Sequence, residues 1–262
     1  MYDFFRILRS EVLKFVYSRA TRIILLLVFG FQTLLAFVSG KQILSIGLDA
    51  TPETCPELLE AMPPLEYMGF DSVSFSTVLM IVLGAVYGAN EFKHHSMRTT
   101  LLCTGARNRV FFAKTICIAF ASFVISFLSV LITISVTHAV FGDQGLCPVI
   151  LNTTVWKFIL YATVALTMLT MISYLLGFLF RTGIIPMLFL IVQAYNIGNM
   201  LAERFVWAGL LPVSLVNRLI ASSEATLTLV PAWNICVLLL WIGELGVAAF
   251  LRFRNTEMQG GY

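Results

Sequence analysis

Charge is what this sequence has least of. Of its 262 residues, 12% are Asp, Glu, Lys or Arg, against about a quarter in a soluble domain. With 59% hydrophobic residues and a mean hydropathy of +0.90, that scarcity excludes a water-soluble fold, because a chain of this size cannot hide so much apolar side chain in its own core. Signatures of chemistry are missing too. No G-x-x-x-x-G-K-[ST], H-E-x-x-H or G-x-S-x-G run occurs, so the sequence marks of a nucleotide-hydrolysing loop, a zinc protease and a serine hydrolase are absent. The five cysteines form no C-x-x-C pair, which argues against a zinc or dithiol redox site. His94 and His95 point in different directions on a helix and lack a third ligand, so no metal is expected there. The first apolar run begins only near Ile23, after an amphipathic segment, and no cleavable signal peptide is expected.

What is present is a series of long apolar runs. Each approaches the roughly 20 residues that cross a bilayer as a helix, and none shows the short alternating pattern of barrel strands. The expected fold is all-α and polytopic, one transmembrane domain over residues 1–262. Six spans are expected, at 23–44, 73–89, 110–141, 158–180, 184–202 and 233–251. With the N-terminus inside, 13 of the 17 Lys/Arg fall on the inner side, which supports N-in and C-in. Asp49, Glu53, Glu57, Glu60, Glu66 and Asp71 then line the first outer loop. Residues 205–220 (FVWAGLLPVSLVNRLI) are apolar but short, and contain Pro212 and Asn217. They read as part of a re-entrant or interfacial outer segment, 203–231, packed on protein, rather than as a seventh span.

Residues 1–22 read as an amphipathic helix. Phe5, Leu8, Val12 and Phe15/Val16 share one face, and Asp3, Arg6, Ser10 and Lys14 share the other. Such a helix either lies along the inner leaflet or leads, solvated, into the first span.

Between spans two and three runs ANEFKHHSMRTTLLCTGARNRVFFAK, residues 89–114, with five Lys/Arg and one acid. It is too short for a catalytic domain and too patterned for a plain turn. Phe92, Met97, Leu101 and Leu102 can line one side of a short surface helix, which Gly105 ends. The stretch is either a device for receiving a push from a soluble partner or a purely topogenic basic loop. Glu91 at the end of span two, the basic tract, Thr99–Leu102, Arg107, Arg109 and Lys114 at the start of span three resemble the coupling region of bacterial ABC-2 type permeases. The amphipathic start, the six spans and Leu210–Pro212 before span six extend the resemblance over most of the chain. Gly105 departs from it, standing where many members have proline.

That resemblance implies an all-α permease subunit of an ATP-binding-cassette exporter in the bacterial cell membrane. It implies no cofactor on this chain, with ATP and Mg held by a separate ATPase present in two copies, and a second permease chain completing the path. Residues 91–108, with Glu91, Phe92, Lys93, His94, Met97 and Arg98, would contact the ATPase. The cargo implied is amphipathic: an antimicrobial peptide, a drug or a lipid-like compound. No nucleic-acid partner is expected.

Polar residues within spans are the other candidates. Gln193, Asn196 and Asn199 recur every three residues around Tyr195 on the fifth span. Such a stripe is either helix–helix glue or a pathway or chain–chain interface. Glu244 lies inside span six. A buried hydrogen bond is the preferred reading, over a proton relay that would need more ionisable groups at depth. His138 reads as an interfacial polar residue near the outer end of span three. Cys55 and Cys147 fall in the two outer loops, and are either bridged as a lid or free. Outside the resemblance, the competing classes are an ion-gradient-driven secondary transporter and a membrane enzyme. Against the first stands the lack of an inverted repeat and of clustered buried carboxylates. Against the second stands the lack of any catalytic motif.

Overall fold

The computed structural model describes residues 2–48, 50–51, 53, 62–90, 92, 107–146, 151–197, 204–220 and 231–255, without the side chains of Tyr2, Asp3, Asn196, Ile197 and Val206. No strand occurs among the described residues. In chain order the helices are α1 (Tyr2–Tyr17), α2 (Arg19–Leu26), α3 (Gln32–Ile46), α4 (Phe70–Asn90), α5 (Arg107–Val140), α6 (Thr153–Phe180), α7 (Ile184–Val192), α8 (Pro212–Leu219) and α9 (Pro231–Asn255). A π-helical turn, Leu27–Phe31, joins α2 to α3, making one continuous helix over Arg19–Ile46. Five helices are long and apolar enough to cross a membrane: Arg19–Ile46 and those built on α4, α5, α6 and α9.

The expected fifth span is described only in part. Over 184–202, the structure describes α7 and a second π-helical turn, Gln193–Ile197. Together these are shorter than a span. The amphipathic start differs. Ser18 has extended backbone angles (φ −62°, ψ 129°), which stops α1 at Tyr17 and assigns 19–22 to the first long helix. Its core-facing stripe is Ile7, Glu11 and Phe15, whereas Phe5, Val12 and Val16 are exposed. The exposed Phe5, Val12 and Val16 belong to the expected apolar face, and periodicity did not name the Ile7–Glu11–Phe15 stripe that meets the bundle.

α6 is the central element, packed on α4, α5 and α9 and touched by α7 and α8. Its closest neighbour is α4. Gly84 and Gly88 form a G-x-x-x-G step on α4, and a Cβ at either would collide with the carbonyl oxygen of Thr170 or Tyr174 on α6. Small residues at this spacing let two backbones touch where lipid supplies no hydrophobic drive. Ser173 fixes the register by donating to Ile81 O at 2.6 Å. The first four long helices alternate in direction and α9 runs the same way as α6, so α1, the C-terminal ends of α4, α6 and α9 and the N-terminal end of α5 gather at one end, called here the α1 end.

The chain before α9 also packs inward. A 3₁₀ turn, Val206–Leu210, leads into α8, which buries Val213, Leu215 and Val216 against α6 and α9. Trp241 Nε1, midway along α9, donates to Leu210 O at 3.0 Å.

Candidate functional site

The α1 end gathers most of the described aromatic contacts and the ion pairs of Glu11. Its first component is an ion cluster. Lys114, one residue beyond the second turn of α5, has no exposed side-chain surface, and neither has Glu11 of α1. Lys114 Nζ meets Glu11 Oε2 at 2.5 Å, and Lys14 Nζ meets Glu11 Oε1 at 2.8 Å. A buried carboxylate is tolerable only when paired and hydrogen-bonded, and here both oxygens are engaged. Removing one partner of such a pair costs far more than the pair itself contributes. The cluster therefore fixes α1 to the third long helix, across 103 residues of sequence.

The second component is a chain of rings. Phe15 of α1 meets Tyr87 of α4 at 5.5 Å, Tyr87 meets Tyr174 of α6 at 5.7 Å, and Tyr174 meets Phe178 at 5.9 Å. Phe178 in turn contacts Phe111 of α5 and Phe253 of α9, each at 5.4 Å. Edge-to-face pairs at these separations add to the contact area they bury. Four of the five long helices and α1 are thus tied at one level.

Before α5 the structure describes three residues of the basic stretch: Ala89 and Asn90, which end α4, and Phe92. Its ring lies 5.0 Å from Phe178 and 5.2 Å below the Arg181 guanidinium, a cation–π arrangement. Arg181 ends α6 in the left-handed region, with φ 58°, a conformation that a side-chain-bearing residue adopts at some cost. Arg107 Nη1 donates to Arg254 O at 3.3 Å, bracing the start of α5 on the end of α9. Glu91, Lys93, His94, Met97 and Arg98 lie outside the described residues, so of the expected coupling set Phe92 alone has a described position.

A third cluster sits deeper. Gln32, at the start of α3 directly after the π turn, is wholly buried. Its Nε2 donates to Thr133 Oγ1 at 2.8 Å, and its Oε1 accepts from Ser129 Oγ at 2.9 Å and from Ser76 Oγ. One amide thereby joins three long helices.

The remaining expected residues are scattered. Gln193 is buried, with Nε2 donating to Phe189 O at 2.8 Å and Oε1 without a partner among the described residues. Tyr195 is 70% exposed. The side chain of Asn196, and Asn199 as a whole, lie outside the described residues. A three-residue step keeps one face on an α-helix, but residues 193–197 are π-helical, and Gln193 and Tyr195 face different surroundings. Glu244, expected in a buried hydrogen bond, is exposed and has no partner among the described residues. The reason is that α9 turns its 244 face away from α6. His138, in the last turn of α5, is buried and edge-on to Phe141. Cys55 and Cys147 lie outside the described residues. No cluster of metal-ligating side chains occurs among those described.

Sequence reasoning missed Glu11 and Gln32. Each had a signal: an acid at the centre of the 7–11–15 stripe, and a lone amide within an apolar run. The Gly84–Gly88 step was likewise readable. Comparison with known family models and with curated proteins returns no match.

Proposed function

We propose that the chain is the membrane-spanning permease subunit of an ABC exporter, moving an amphipathic compound by means of ATP hydrolysed on a separate subunit. The observation that carries this is the position of Phe92. This residue of the basic stretch is held between Phe178 and Arg181, and Phe178 touches α5 and α9 as well. A displacement of the basic stretch would therefore be passed to three long helices at once. α1 lies beside it, fixed by Glu11 and Lys114.

Charge supports the orientation. Arg6, Arg9, Lys14, Arg19, Arg22, Arg107, Arg109, Arg181, Arg252 and Arg254 belong to elements that meet at the α1 end, while Glu66, Asp71 and Asp143 belong to the opposite one. In this reading the α1 end is cytoplasmic, as the excess of Lys/Arg on that side requires. On the same reading α7 begins the fifth span, 184–202, α9 is the sixth, and the Val206–Leu219 elements belong to the re-entrant segment 203–231. Two permease chains and two ATPases make the working unit in a bacterial cell membrane. ATP-driven closure of the ATPases shifts the permeases between inward- and outward-open states.

The test is co-purification of the tagged chain with a candidate ABC ATPase subunit co-expressed in the same membranes. The expected result is one ATPase per permease, with Glu91→Ala plus Arg98→Ala releasing it. No bound ATPase, and a variant that behaves as wild type in transport, would overturn the proposal.

A further inference from the structure

Glu244 poses a problem that this chain alone does not solve. It sits nine residues before Phe253, which packs on Phe178 at the α1 end, and so lies about 14 Å along α9 from that level. Its neighbours on the same exposed face, Leu240 and Val247, are 64% and 60% exposed. A carboxyl in the middle of an apolar, outward-facing stripe is unfavourable against lipid and is normally found facing protein or water.

A matching group exists elsewhere on the surface. Tyr195 is 70% exposed and follows Gly183 by twelve residues. Gly183 abuts Ala85 and Ala89 in the last turns of α4, and Phe178 abuts Gly88 there, so Gly183 and Phe253 share a level. Tyr195 then stands about 17 Å above that level, within a side chain's reach of the depth of Glu244. The two groups lie on opposite flanks of one face. Between them sits the Val206–Leu219 segment, with α8 packed on α6, on α9 and on the 193–197 turn. One flank offers a hydroxyl donor and the other a carboxyl acceptor, and neither has a partner among the described residues.

We propose that this face is covered by a second copy of the chain, with the Tyr195 hydroxyl of each copy donating to the Glu244 carboxyl of the other. A two-fold axis along the membrane normal produces this pairing directly. It keeps depth constant and sets the α7 flank of one copy opposite the α9 flank of its partner, so that the pair forms twice. Leu188, Leu210, Leu240 and Val247, all exposed, supply the apolar contact around it. Gly243 has open space where a Cβ would stand, which leaves room for a partner helix to approach. The inference deepens the proposed reading, which calls for a second permease chain, but it is tested without any ATPase.

The experiment is site-directed cross-linking in lipid vesicles, with the chain's own five cysteines replaced by alanine. Differently tagged Tyr195→Cys and Glu244→Cys chains are mixed and oxidised with copper phenanthroline, Cu(II) and oxygen taking the two electrons and two protons that the new disulfide releases. Cross-tag dimers are expected from the mixture and not from either variant alone. The native-cysteine chain serves in parallel for subunit counting by single-molecule photobleaching. There Glu244→Leu is expected to weaken dimerisation about tenfold, and Glu244→Gln, which keeps an acceptor, to change it less than about twofold. Maleimide-accessible cysteines that give no cross-tag product, or a chain that is monomeric in vesicles, would overturn the pairing. If an ATPase nevertheless binds, the exporter reading survives and only this interface falls. If the dimer forms and no ATPase binds, the reverse holds.

Discussion

The two ends of this helical bundle are held together differently. At the α1 end, α1 and four long helices share one chain of aromatic rings and a fully buried ion pair. At the opposite end, Phe158 of α6 packs against Tyr67 and Phe70, and an exposed hydrogen bond joins Asn152 to Glu66. Beside these lies an open cavity of about 850 Å³ between the end of α3, residues 62–68 and Gln144. The first end has the construction of a part that moves as one body. The second has room to change shape. The proposed function calls for that division, since a push is transmitted only through contacts that do not yield.

The sharpest way to break the comparison is at Lys114. Lys114→Met leaves the Glu11 carboxylate with only the half-exposed Lys14, and should cost about 3–5 kcal/mol of stability. Equilibrium unfolding in mixed micelles would measure it. Adding Glu11→Leu should restore most of the loss, because an apolar pair can replace a buried ion pair. A double variant as unstable as the single one would mean that the site matters for something other than charge. Phe178→Ala comes next, at about 3 kcal/mol. That is the lower end for truncating a buried phenylalanine, since lipid rather than water is the competing environment. Gln32→Leu removes three hydrogen bonds and should cost about 2 kcal/mol by the same assay, at the modest value each has inside a membrane protein. The smallest effect is expected at the other end. Glu66→Ala should stay within about 0.5 kcal/mol, as exposed contacts usually do.

The long apolar helices were legible in the sequence because each writes its own length as a hydropathic run. The start of α6 was set five residues too late, since Trp156 and Lys157 soften the run there. What hydropathy cannot say is which side of a helix meets protein. It therefore named the apolar face of Phe5, Val12 and Val16 but not the Ile7–Glu11–Phe15 stripe that packs inward, and it gave no sign that Glu244 faces outward. Pairings across great sequence distance were equally invisible. Nothing near Glu11 names Lys114, and nothing near Gln32 names Ser76, Ser129 and Thr133. The three-residue stripe rests on the α-helical period, whereas residues 193–197 are π-helical, and the Asn196 side chain and Asn199 lie outside the described residues. The Gly84–Gly88 step was a missed opportunity rather than a hidden one.

Under the proposed function, the α1 end receives work from a soluble ATPase through Phe92. The direct measurement is the turnover of the purified permease–ATPase complex in lipid, comparing wild type with Phe92→Ala and, from the opposite end, Glu66→Ala. Loss of the Phe92 ring removes contacts worth roughly 1.4 kcal/mol, a factor of about ten in rate. The account predicts that the ATPase stays bound to Phe92→Ala while cargo-stimulated turnover falls about tenfold, and that Glu66→Ala matches wild type. Full cargo-stimulated turnover in Phe92→Ala would contradict it.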